Sequence, residues 1–156
     1  ILNNPRLWPL LYLIFWEGAT LENDLRAIEE VVRLLYASVS FDANNPPTWD
    51  RLRRLFHPRG LLFRNLRETQ EVYSVETFIQ WVNKARQQGL VSFFEEETDA
   101  STHLMGGIAH RTSHYKASSG GSSGAIQVGI NSIQMMKCDG EWKVLSLAWE
   151  VPGCKS

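Results

Sequence analysis

Residues 125–151 read AIQVGINSIQMMKCDGEWKVLSLAWEV, and this stretch decides the fold. Apolar and polar positions alternate through 125–138 and again through 141–151, the period of strands with one buried face. Between them lies CDGE at 138–141. Asp-Gly tolerates the positive φ of a two-residue turn, so the two strands pair as a hairpin. Leu145, Leu147 and Trp149 share one parity on the closing strand. Period two also runs through 91–97 and 104–117. The linker SSGGSSG at 118–124 has strands on both sides. A phosphate-binding glycine loop needs a helix after it, so this one reads as a flexible hairpin loop.

Ahead of residue 90 the period is helical. Leu21, Leu25, Ile28, Val32 and Leu35 make one stripe, with Thr20 as N-cap and Glu22 in the first turn, so a helix is expected to about residue 40. DANNPP at 42–47 is turn chemistry. Thr48 caps a short second helix whose apolar side is Trp49, Leu52, Leu55 and Phe56, ended by Pro58 and Gly60. A short strand is expected at 61–64. Ser74 caps a third helix that stops before Gly89, with Val75, Phe78, Ile79 and Val82 buried and Trp81 off the stripe. Helices followed by an antiparallel meander define an α+β class.

The chain has 156 residues, the size of one domain. Lys and Arg number 16 against 17 Asp and Glu, a net charge of −1, which argues against a polyanion partner such as nucleic acid. Two cysteines make no disulfide framework, and no Cys/His spacing suits a metal, so the expectation is a cytoplasmic protein with no metal. Residues 7–16 (LWPLLYLIFW) are apolar but too few for a membrane span, which needs roughly 20. They read as a helix packed on the domain or a partner, as upstream or targeting sequence, or as a membrane-surface or lid element. The organisation expected is an apolar segment at 1–19, a domain at 20–152 and a tail at 153–156.

A resemblance joins these pieces. LFHP at 55–58, SVETFI at 74–79, GINSIQ at 129–134 and DGEWKV at 139–144 running on to Trp149 stand in this order along the chain. Together they resemble the SnoaL-like branch of the nuclear transport factor 2-like superfamily, over roughly 21–152. The resemblance implies a curved antiparallel or mixed sheet wrapped around a long N-terminal helix, a cone with a pocket at its open end. It also implies an apolar small-molecule ligand and a homodimer formed through the sheet. Members include ketosteroid isomerases, scytalone dehydratase, limonene epoxide hydrolase, polyketide cyclases and non-catalytic binding proteins.

The isomerase base of that family falls near Arg64 and Asn65, and its partner acid near Asn131 to Gln134. No carboxylate stands at either place. These amides can bind a carbonyl or hydroxyl but cannot serve as bases. By the same resemblance Tyr36 corresponds to the phenol on the first helix, a donor to a bound oxygen or a core-edge tyrosine. His57 is a helix-end cap or a pocket residue. His110 shares parity with Thr112, His114 and Lys116, while Arg111, Ser113 and Tyr115 take the other face. If His110 faces in, it has the pKa of a base at neutral pH. Of Glu95, Glu96 and Glu97, either one or two face inward; the run reads as a solvated edge, or, with Glu96 inward beside His or Arg, as a proton-transfer pair. The catalytic candidates are therefore Tyr36, His57, His110 and Arg111. The ligand-binding candidates are Trp49, Arg64, Asn65, Trp81, Asn131, Gln134 and Trp149. Two functions compete: a cofactor-independent isomerase, cyclase, dehydratase or hydrolase, and a non-catalytic module that binds a hydrophobic ligand or a protein.

Overall fold

In the computed structural model, residues 8–66, 68–120 and 124–150 are described, with side chains from Thr20 onward. Three helices precede or interrupt six strands: α1 (Trp8–Val39), α2 (Trp49–Leu55), β1 (Phe56–Asn65), β2 (Gln70–Ser74), α3 (Val75–Gln87), β3 (Ser92–Met105), β4 (Ile108–Gly120), β5 (Ile126–Cys138) and β6 (Glu141–Glu150). The strands form one sheet in the order β2-β1-β6-β5-β4-β3. Only the β1–β6 pair is parallel. The edge strands β2 and β3 do not pair with each other, so the curved sheet wraps its helices without closing.

The α1 stripe buries Ile28, Val32, Leu35, Tyr36 and Val39 against the inner face of the sheet. Leu21, its expected first member, is half exposed. The helix also starts earlier than its pattern suggests: Thr20 lies inside it and not at its start, because 8–19 continue the same helix. Residues 1–7 and the tail at 153–156 lie outside the described residues. At the far end of α1 the chain turns back, and Phe41 bridges Phe93 to tie the helix to β3. Ser74 caps α3 as expected, accepting from the Thr77 amide at 3.2 Å.

The closing hairpin forms as its sequence implies, with Asp139 at φ 51° and Gly140 at φ 84°. Elsewhere the strands outrun their patterns. β1 starts at Phe56, directly after α2, rather than at 61. β2, five residues of mixed polarity, pairs with β1 and has no counterpart in the sequence reading. Two irregularities explain broken alternation. β3 slips register between Glu97 and Asp99, and β6 carries an extra residue at Leu145. Phe93, Glu95 and Glu97 thus face inward, and so do Thr102 and Leu104 beyond the slip. On β6, Trp142 and Val144 are buried as well as Leu147, so Leu145 marks a change of parity. Such bulges bend a sheet, which here curls it around α1.

Candidate active site

A cavity of about 210 Å³ lies between the inner sheet face and the helices. Its walls are apolar: Leu35, Val39, Phe41 and Leu52 from the first half of the chain, Phe78, Val82 and Ala85 from α3, and Phe93, Ala117 and Leu147 from the sheet. An aromatic group forms one side. Trp81 lies 5.8 Å from Phe78 and 5.7 Å from Tyr73, and Phe78 meets Trp149 edge-on at 6.3 Å. Trp81 is 37% exposed and marks the rim. Arg64 stacks on it, 5.2 Å from the ring, while holding Glu71 at 2.9 Å.

At the buried end stand the polar groups Tyr36, Glu95, Tyr115 and Asn131. Glu95 is a carboxyl among apolar walls. Burial pushes its pKa up to about 7, against one hydrogen bond with the Asn131 side chain that pulls the other way. At neutral pH it therefore exists in both protonation states, the condition for giving or taking a proton. Glu95 and Tyr36 also border a polar groove between α1 and β3, lined by Arg26, Glu29, Glu30, Arg33, Glu96, Glu97 and Arg111.

Tyr36 heads a directional chain. Ser113 Oγ gives its proton to the Glu97 carboxylate, so at 2.7 Å it can only accept from the Tyr36 hydroxyl. Asn131 Nδ2 donates to Tyr36 Oη at 3.0 Å. Glu97 also takes two bonds from Arg111, at 3.0 and 2.5 Å, and Arg111 donates to Thr102 at 2.6 Å. The run from Asn131 through Tyr36 and Ser113 is thus aimed toward Glu97. Burial raises the Tyr36 pKa to about 12, so its proton stays in place. The Tyr36 hydroxyl thus lines the cavity with its proton already engaged.

Of the sequence candidates, Tyr36, Arg64, Trp81, Asn131 and Trp149 converge on this cavity. The others fall elsewhere. Arg111 faces inward but beyond Tyr36 and Ser113, on the groove. His110 sits on the outer sheet face and bonds Ser132 at 3.0 Å, and Gln134 is its direct partner there. The face that looks inward carries Arg111, Ser113 and Tyr115, which removes His110 from the cavity wall. His57 accepts from the Arg59 amide at 3.1 Å, a local turn contact. Trp49 donates to Asn83 at 3.3 Å and packs on the core, and Asn65 lies on a shallow outer depression. Of the three glutamates, Glu95 and Glu97 face inward and Glu96 does not, one of the two arrangements the sequence left open, so Glu96 makes no proton-transfer pair in the cavity. Sequence reasoning passed over Glu95 and Tyr115. The signal for both was parity with Phe93 and with Arg111.

No family model matches the sequence, and no curated protein matches it. Solved structures do. A candidate scytalone dehydratase from Novosphingobium aromaticivorans superposes with TM-score 0.69 at 14% identity, over 87% of this chain and 89% of that one. Hexachlorocyclohexane dehydrochlorinase LinA-type3 from Novosphingobium barchaimii gives 0.66 at 14%, over 86% and 92%. A nuclear transport factor 2-like protein of unknown function from Methylobacillus flagellatus gives 0.57 at 16%, over 84% and 94%. The fold is therefore the nuclear transport factor 2-like α+β cone, and at such identities the likeness extends to the fold alone.

Proposed function

We propose that this chain is a SnoaL-like, cofactor-independent enzyme that moves a proton on an apolar small molecule, with Glu95 as the acid–base group. The observation that carries the reading is the Glu95 carboxyl, placed at the end of an apolar cavity with a pKa of about 7. Isomerases, dehydratases, cyclases and dehydrochlorinases all need such a group, and two of the structural neighbours carry names from these classes. Arg64, Trp81 and Trp149 hold the ligand at the rim, and Asn131 orients the carboxyl. His57 and His110 have no part in this reading. The cysteine content and the near-zero net charge support a cytoplasmic setting with no polyanion partner.

The test is deuterium uptake. A panel of bicyclic ketones is incubated with the protein in D2O and followed by NMR. Exchange at the carbon beside the carbonyl rises as pH passes about 7 and is lost in Glu95→Gln. Wild type no faster than buffer, or Glu95→Gln equal to wild type, refutes the reading. Ketones bound without exchange would favour a non-catalytic hydrophobic-ligand module.

A homodimer through the outer sheet face belongs to the same proposal. Ile126, Val128 and Ile130 lie there at 65%, 67% and 49% exposure, an apolar row that a second copy would cover. Sedimentation at monomer mass over the micromolar range would refute it.

A further inference from the structure

Tyr115 lies directly opposite Gly129 across the β4–β5 pair, and its ring reaches over that strand. A Cβ built on Gly129 would stand 2.5 Å from the Tyr115 hydroxyl and 2.6 Å from the ring carbon that bears it. Only glycine leaves room for the phenol to lie there. The side chain is buried, lines the cavity and makes no hydrogen bond to any described residue. Its hydroxyl is not sealed in, because no fully buried side-chain polar atom lacks a partner among the described residues. The hydroxyl therefore keeps some accessible surface, on a side chain that lines the cavity.

The other polar groups at that end are engaged. Tyr36 gives its proton to Ser113, and Asn131 donates to Tyr36 and bonds Glu95. Arg64 stands at the rim, held by Glu71 and Trp81. Gln127 also lines the cavity but is exposed; among the described residues lining the cavity, the buried donor with no bond is the Tyr115 phenol. Desolvation and the nearby Glu95 carboxyl both hold it above its ordinary pKa, so it keeps its proton at neutral pH. A donor on the cavity wall with no protein partner is free to meet an acceptor on a ligand.

We propose that Tyr115, and not Tyr36, reads the polar end of the ligand: its hydroxyl donates to a neutral acceptor oxygen, such as a ketone, on an otherwise apolar molecule. The neighbouring Glu95 carboxyl disfavours an anionic ligand at this point. This rests on the cavity being the ligand site, and it is independent of whether Glu95 transfers a proton.

The experiment uses 1-tetralone and its hydrocarbon tetralin as probes, with affinities measured by calorimetry on the full chain. One hydrogen bond lost is about a tenfold change in affinity. Tyr115→Phe lowers 1-tetralone affinity by about that factor and leaves tetralin affinity and thermal midpoint unchanged. Tyr36→Phe leaves the ratio of the two affinities as in wild type. Gly129→Ala, which displaces the phenol by contact, reproduces the Tyr115→Phe ratio. Equal effects of Tyr115→Phe on both probes, no effect on either, or no binding of 1-tetralone by wild type overturns the proposal. A wild type that exchanges no protons but shows the Tyr115-dependent tetralone–tetralin ratio would refute the acid–base reading and leave this one standing.

Discussion

Replacing Glu95 by Gln should make the protein more stable at pH 8 and leave it unchanged near pH 4.5. Burial holds the Glu95 carboxyl at about 7 in the folded chain, against 4.5 for the free side chain. The folded state thus binds this proton more tightly than the unfolded one. Its contribution to stability is fully present below about pH 4.5 and is lost as pH rises through about 7. Each pH unit in that window costs about 1.4 kcal/mol, which gives about 3 kcal/mol in all as an upper bound, since the carboxyl also borders the α1–β3 groove. Glutamine has no charge to desolvate and keeps a partner for Asn131, so it escapes the loss. The assay is urea unfolding of both proteins at half-unit steps from pH 4.5 to 8.5. The difference in unfolding free energy should climb from near zero to between 1 and about 3 kcal/mol, with its midpoint between 5 and 7. A flat difference, or a Glu95→Gln protein less stable at pH 8, would show that the carboxyl is solvated and refute the argument.

Other outcomes follow from the same packing and bonding. Ile133 is fully buried at the centre of the sheet, so Ile133→Ala should cost about 2–5 kcal/mol in urea unfolding. Tyr36→Phe strips an acceptor from Asn131 and a donor from Ser113, and should cost about 1–3 kcal/mol by the same measurement. Arg111→Ala leaves the Glu97 carboxylate short of its main partner in a largely buried place and should cost about 3–5 kcal/mol, whereas Arg26→Ala, which removes an exposed pair with Glu22, should cost below about 1 kcal/mol. Val128→Lys on the exposed outer row should shift a dimer toward monomer in sedimentation without lowering the thermal midpoint of the monomer.

The architecture was legible where local chemistry is strong. The 138–141 turn and the Ser74 cap each rest on a few adjacent residues and form as read, and the α1 stripe does so from Ile28 to Leu35. The cavity was legible in part: Trp149 and the amide Asn131 follow from the resemblance to a known fold, and Trp81 from its place off the apolar stripe of its helix. What escaped is what depends on pairing between distant strands. Glu95, Glu96 and Glu97 carry the same side chain, so their order alone cannot say which points in. The answer comes from Glu95 lying opposite Ala117 and Glu97 opposite Tyr115. The slip after Glu97 broke the alternation at 98–103, and the strand continues through it only because β4 supplies partners on both sides. β2 has no apolar signature of its own and exists because β1 offers it an edge.

The slips in β3 and β6 have a consequence for how the chain tolerates changes in length. A strand with strict alternation cannot lose one residue without turning every later side chain to the opposite face. Thr98 and Leu145 are exceptions, because each is the extra residue at a slip. Removing Thr98 would join Glu97 to Asp99 in plain alternation and leave Glu95, Thr102 and Leu104 facing as they do now. Removing a residue two places either way would turn the residues between it and the slip to the opposite face. These two positions are joints at which this sheet can shorten by one residue and still keep its cavity.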